Sequence, residues 1–180
     1  TMATRTLSDV IGGDDVSLTG GTATFANKNV GNGKTVTATG LGLSGADAGN
    51  YQLASTSATT TADITGRTLT VSATGVNKLY DGTTTATVTL SDDRVAGDVL
   101  TAGYTAAEFA DKNVGTNKAV SVTGITVTGT DAGNYTFNTD ASTTASITAA
   151  TVTGSITADN KIYDGTNAAT IATRTLSDVI

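Results

Sequence analysis

The side chains in this chain that could do chemistry are few, and nearly all are acids, lysines and tyrosines. There is no His and no Cys. A thiol nucleophile, an imidazole base, and a His or thiolate metal site therefore lie outside its reach. Asp occurs in groups, as Asp14-Asp15 and as Asp92-Asp93 with Asp98, but Glu108 is the only Glu. A glycosidase needs two carboxyls facing one bond, and turn-borne Asp residues with a single Glu offer no recognisable pair. The expectation is that the chain is not an enzyme and holds no organic cofactor. Calcium takes about six to eight oxygen ligands with several carboxylates converging. Asp92, Asp93 and Asp98 are the acids that could supply them, although the spaced D-x-D-x-D-G loop is missing.

These groups sit on a chain that repeats itself. Ala3–Ile11 reads ATRTLSDVI, and so does Ala172–Ile180. Inside that long period lies a shorter one of roughly 85 residues. Phe25-Ala26-Asn27-Lys28-Asn29-Val30-Gly31 returns as Phe109-Ala110-Asp111-Lys112-Asn113-Val114-Gly115, and Asp47-Ala48-Gly49-Asn50-Tyr51 returns as Asp131-Ala132-Gly133-Asn134-Tyr135. Tyr80-Asp81-Gly82-Thr83 returns as Tyr163-Asp164-Gly165-Thr166. Boundaries fall near 65/66 and 148/149, after Ala-Asp-Ile-Thr and Ala-Ser-Ile-Thr. Residues 66–148 form one complete module, 1–65 a module lacking its first strands, and 149–180 the opening strands of a further module. A function built on length and number fits such an array better than one unique pocket.

Composition points to strands. Thr accounts for 41 of the 180 residues, and Leu, Ile and Val alternate with Thr, Ser or Ala, as in Leu69-Thr70-Val71-Ser72-Ala73. That period of two predicts strands with one buried face, while Gly, Asn and Asp supply turns. The complete module should carry strands near 67–73, 77–80, 84–90, 99–105, 118–123, 125–128, 134–138 and 143–148. Short strands at this spacing predict an all-β fold of tandem immunoglobulin-like β-sandwich modules. The net charge of −6 argues against nucleic acid and anionic membranes as partners. No apolar run approaches the ~20 residues of a membrane-spanning helix. Absence of Cys fits an exported array without requiring one.

The aromatic motifs read as architecture. Asp131 to Tyr135, and its counterpart ending at Tyr51, are written like a tyrosine corner, with the phenol bonding back to the main chain. Tyr80 and Tyr163 precede Asp-Gly turns and suit half-buried plugs at strand ends. Phe25 and Phe109 open the other shared motif. Glu108 could serve a Lys–Asn isopeptide crosslink, but Thr24 stands at its counterpart. The Thr83–Thr89 array has the composition of an ice-binding face, though Thr is also the ordinary residue on the wet side of a strand. Asn134-Tyr135-Thr136 fits a glycosylation sequon inside the corner.

Taken together, Lys78-x-Tyr80-Asp81-Gly82-Thr83, Gly97-Asp98-Val99, the Phe109–Gly115 run, the Asp131–Tyr135 run and Ala145-Ser146-Ile147-Thr148 resemble the YDG-type repeat. Such repeats, related to MBG repeats, occur in large bacterial surface adhesins of the filamentous-haemagglutinin kind. The resemblance implies an extracellular or cell-surface location and a structural stalk; it carries over no ligand site. The alternatives are an adhesin module that binds glycan or protein, and a self-assembling fibre. Expected partners are neighbouring repeats of the same chain. Either the tail of one chain completes the head of the next by strand complementation, or the chain is a piece of a longer array.

Overall fold

A computed structural model describes residues 6–180, so the first five residues of the opening repeat, including the start of its ATRTLSDVI segment, lie outside the described part. The chain is mostly β-strand, with two single-turn 3-10 helices, Ala48–Asn50 and Ala132–Asn134. It divides into two compact units. One comprises residues up to Thr68 together with Thr130–Thr136, and the other comprises Leu69–Gly129 with Phe137–Ile180.

The first unit is built on an antiparallel sheet of β1 (Ser17–Phe25), β2 (Gly31–Ser44) and β3 (Ser57–Ile64), in the order β1-β2-β3. Its apolar face comes from β2, where Ala38 and Leu41 are buried. Those two lie three apart, which breaks strict alternation. Gly40 sits between them at φ 74°, a left-handed conformation that costs a side-chain-bearing residue energy. The kink moves the inward face from Val36 and Ala38 to Leu41 and Leu43.

The second unit uses the same device 84 residues later. Val120 and Val122 are buried, then Gly124 at φ 67°, then Ile125 and Val127, also buried. Here the kink separates two strands, β10 (Gly115–Thr123) and β11 (Thr126–Thr128). Their neighbours are β5 (Val71–Val76), β6 (Lys78–Leu79), β7 (Thr87–Asp92), β8 (Thr101–Gly103), β9 (Ala106–Phe109) and β13 (Asp140–Thr148), while β4 (Arg67–Leu69) and β12 (Tyr135–Phe137) each begin in the first unit. A four-stranded sheet runs β6-β13-β10-β9, while β5 pairs with β7, β11 with β8, and β4 with β12. The segment 71–79 therefore changes partner at Asn77: β5 lies antiparallel to β7, and β6 then pairs in parallel with β13. The Asn77 side chain marks the switch, accepting the backbone N–H of Ser146 at 2.7 Å. Leu69, Val71, Val120, Val122 and Ile147 are the fully enclosed side chains of the core. Beyond it, β14 (Thr153–Ala158) and β15 (Ile171–Ser177) form a separate antiparallel hairpin.

The alternating pattern located most of these strands, with three main differences. The strand expected at 67–73 is divided at Thr70 into β4, which pairs with β12, and β5, which pairs with β7. The strand expected at 84–90 begins at Thr87, and Thr85 makes only an isolated bridge to Glu108. No strand was expected at 106–109, yet β9 forms there. Its short Ala-Ala-Glu-Phe sequence carries little propensity, and its pairing with Val120–Thr123 supplies the order instead.

Two substitutions probe this packing. Ile147→Ala removes a side chain that is 1 % exposed and should cost about 2–5 kcal/mol in urea denaturation. Gly75→Ala should cost about 1–3 kcal/mol, because a Cβ there would meet the Thr144 carbonyl oxygen at 2.5 Å and the Ala145 Cβ at 2.9 Å.

Candidate functional site: lysine-latched loops

The side chains singled out by the repeats converge on loops closed by a lysine ammonium. In the Lys78–Thr85 loop, Asp81 folds back on its own turn, its Oδ1 accepting the N–H of Thr83 at 2.9 Å and the Thr83 hydroxyl at 2.8 Å. This local bond is the ordinary habit of Asp before Gly. Lys78, projecting from β6, places its Nζ at the centre. It reaches Asp81 Oδ1 (2.8 Å), the Thr83 carbonyl (3.0 Å), the Thr83 Oγ1 (3.1 Å) and the Thr85 carbonyl (2.8 Å). An ammonium has three hydrogens, so four acceptors must share them. The cation also lies 5.5 Å from the Phe109 ring centroid, where the ring face attracts it.

The 161–166 loop repeats this geometry. Lys161 Nζ reaches Asp164 Oδ1 (2.9 Å), the Thr166 carbonyl (2.9 Å) and Thr166 Oγ1 (3.0 Å), and Thr166 N–H donates to Asp164 (3.0 Å). Recurrence without Phe nearby shows that the latch is a property of the K-x-Y-D-G-T sequence itself. Tyr80 is half-buried beside its latch, whereas Tyr163 is 92 % exposed.

The second recurring motif makes a second latch. Asn113 N–H donates to Asp111 Oδ1 at 2.8 Å, and Lys118 Nζ reaches the same oxygen at 2.7 Å. In the first repeat Asn29 N–H donates to Asn27 Oδ1, and Lys34 contacts both that oxygen and the Asn29 carbonyl. Lys34 and Lys118 each follow a shift in strand register, at Gly31/Lys34 and Gly115/Lys118. Such a bulge re-aims the next side chain, here into the loop. The sequence comparison aligned the two motifs but missed these lysines, because nothing local links position 118 to 111.

The corner tyrosines are placed at the ends of the 3-10 turns. Tyr51 hydroxyl accepts the Ile11 N–H (3.1 Å) and donates to Asp14 Oδ2 (2.6 Å). The carboxylate partner holds the Tyr51 pKa above its ordinary value. Tyr135 is buried. Phe109 is 3 % exposed but Phe25 is 39 % exposed. The Lys78 ammonium lies 5.5 Å from the Phe109 ring centroid, and the Phe109 N–H donates to the Thr84 carbonyl of the latched loop. Among the described residues of the first repeat, no K-x-Y-D-G-T loop stands beside Phe25.

Of the three candidate calcium ligands, the carboxylates of Asp92 and Asp93 go to separate partners, and Asp98 sits in a turn closed by its own backbone. Arg94 grips Asp92 with two bonds, Nε to Oδ1 at 2.7 Å and Nη2 to Oδ2 at 2.6 Å, and its Nη1 donates to the Leu100 carbonyl at 2.7 Å. This pairing depresses the Asp92 pKa. Asp93 accepts the Thr70 N–H at 2.8 Å, and Asp98 N–H donates to the Val95 carbonyl at 3.1 Å. Among the described residues, no three acidic, His or Cys side chains gather as a metal site would require. The cation that the loops do hold is their own lysine.

Lys78 also lowers the Asp81 pKa, with help from the Thr83 N–H, from 3.8 to about 2. Asp111 and Asp164 shift downward for the same reason, through Lys118 and Lys161. A depressed carboxyl pKa contributes stability that is present above the unfolded value and lost as pH falls through the folded one. Thermal unfolding midpoints should therefore fall between pH 3.8 and about 2. Asp81→Asn should flatten that decline; an unchanged slope would show that the latch carries no stability.

Compared with known families, the chain matches the YDG domain over residues 1–61 and 65–145. No curated protein and no solved structure gives a match.

Proposed function

The chain belongs to the YDG-domain family, and from that premise we propose that its repeats act as a structural spacer in a bacterial surface or secreted adhesin. The observation that carries this reading is where the shared motif residues point. Lys78, Asp81 and Thr83, and Lys118 and Asp111, bond to their own loops rather than lining a cavity. A motif preserved for internal bracing suits a module whose task is to keep its shape. In this reading residues 69–148 form an immunoglobulin-like sandwich, with β6-β13-β10-β9 on one side and β5-β7 on the other. The mechanism is mechanical: backbone ladders resist extension, and stability is a sum of module and neighbour terms. The acidic, cysteine-free chain suits an extracellular setting and needs no enzyme chemistry.

A second reading, self-assembly by strand complementation, has its own support. The first unit contains a cleft of about 380 Å³ lined by Val16, Leu18, Leu41, Leu43, Tyr51 and Leu53 among others. The β14–β15 hairpin, whose tail repeats residues 3–11, leaves Ile156, Tyr163 and Leu176 more than 60 % exposed. An apolar hairpin in one copy and an apolar cleft in another are complementary halves.

Single-molecule extension tests the spacer. Unfolding of the 83 residues from 66 to 148 should give a discrete contour step of roughly 28 nm, at ~3.4 Å per residue. Gradual lengthening with no such step, or binding of the intact chain to a glycan array, would remove the spacer as the primary role. Concentration-dependent polymers in sedimentation would favour complementation.

A further inference from the structure

The chain has six lysines, and four of them, Lys34, Lys78, Lys118 and Lys161, close loops of their own. The fifth, Lys28, reaches out of its loop. Within the first compact unit its Nζ pairs with Asp131 Oδ1 at 2.8 Å. Two residues on, Val30 N–H donates to Asn134 Oδ1 at 2.9 Å, and Asn134 Nδ2 lies 3.5 Å from Asn29 Oδ1. The loop of the first repeat thus grips the Asp-Ala-Gly-Asn turn that belongs, by sequence, to the next repeat. Asp131 is 8 % exposed, so its partner sits over an enclosed carboxylate.

Both halves of this contact recur 84 residues away. Lys112 and Val114 occupy the places of Lys28 and Val30, on a loop latched by Lys118 as the first is by Lys34. Both are exposed, Val114 at 55 %, and no partner for the Lys112 ammonium is found among the described residues. Asp47 and Asn50 occupy the places of Asp131 and Asn134. The two turns share a backbone: Asp47 has φ −100° and ψ 4°, Asp131 φ −100° and ψ 0°, and the following tyrosines agree within a few degrees. Asp47 uses Oδ2 to accept the Asp15 N–H, leaving Oδ1 as the counterpart of the oxygen that Lys28 engages. Asp14 and Asp15 flank it, Asp14 held by Tyr51 and Asp15 by Ala46 N–H. The vacant turn is therefore more acidic than its engaged counterpart, which has Asp98 and Val99 at those places.

We infer that the Lys112–Val114 loop is a docking surface for the Asp47–Asn50 turn of a second copy of this chain. The loop-to-turn clasp is then the unit of contact between successive repeats. It deepens the spacer reading and rests on it, because only an array gives every loop a following turn.

Zero-length carbodiimide coupling, which joins a lysine only to a carboxylate in direct contact, tests this in the intact chain. An equal mixture of ¹⁴N- and ¹⁵N-labelled chains at millimolar concentration would be coupled and its peptides read by mass spectrometry. The expected products are Lys28–Asp131 within one chain and Lys112–Asp47 carrying both isotopes. Lys112→Met should abolish the second and spare the first, and 1 M salt should reduce the second several-fold, since screening there acts within ~3 Å. Formation of Lys28–Asp131 alone, or coupling of Lys112 to Asp178 of its own chain or to carboxylates at random, would overturn the inference. A 28 nm extension step with no mixed-isotope product would leave the spacer standing and remove only the clasp; the reverse result would do the opposite.

Discussion

A lysine ammonium held by a loop carboxylate or amide oxygen, and in three of four cases by backbone carbonyls as well, organises the loops of this protein. Each K-x-Y-D-G-T loop has carbonyls turned inward and a carboxylate at its centre, an arrangement that would repel itself without a cation. A disulfide is impossible in a chain without Cys, and among the described residues no three acids gather to hold a metal. Lysine supplies the charge on a stem long enough to reach the loop centre, from β6 in the case of Lys78 and from within the connecting segment in the case of Lys161. Because the cation is covalently part of the loop, the loop needs no ion from solution and closes as the strand forms. Its strength is electrostatic and local, as expected of a charge-assisted network with several acceptors.

The latches matter because the core is modest. Among the described residues the enclosed side chains are mainly Leu, Val, Ile and Ala, and Phe109 is the one deeply buried Phe. Thr covers the wet faces, where it favours strand conformation without adding apolar burial. A module of this kind has little to hold long connections in place except hydrogen bonds. The Asn77, Asn138 and Asp93 side chains accordingly complete the ladders at points where strands change partner or stop. Asn138 is the fullest case, accepting from Val71 N–H at 2.8 Å and donating to the Val71 carbonyl at 3.0 Å, as a paired strand residue would.

Differences between the repeats follow from what covers each sheet. Phe25 and Phe109 are the same residue in the same motif, yet one is half-exposed and the other enclosed. The motif does not set burial; Phe109 has the latched Lys78–Thr85 loop beside it, with the Thr84 carbonyl accepting its N–H and the Lys78 ammonium 5.5 Å from its ring centroid. Likewise Asn27 replaces Asp111 without loss of the turn, since an amide oxygen accepts the same backbone N–H as a carboxylate. It gives up only the charge attraction to lysine. The kink at Gly124 resists such exchange, because its φ of 67° disfavours a side chain and a Cβ there would meet the Thr105 hydroxyl oxygen.

Much was legible in the residues alone. Period-two alternation of Val, Leu and Ile with Thr fixes which face of a strand is dry, so strands such as 118–123 and 143–148 followed directly. The repeated Asp-Ala-Gly-Asn-Tyr and Tyr-Asp-Gly-Thr runs announced turns, since Asp bonding to the N–H two residues on is a local event. What neighbours decide was not legible. Strand β9 exists because Val120–Thr123 offers it a ladder. Lys118 finds Asp111 because a bulge turns it, and Asp92 pairs with Arg94 rather than gathering with Asp93 and Asp98. The sequence by itself determined the all-β character, the repeat and the turn chemistry, all of which act within a few residues. Tertiary structure alone decided that Lys118 meets Asp111 and that Lys28 meets Asp131, because those pairings join groups whose separation is set by strand register and packing and not by their distance along the chain.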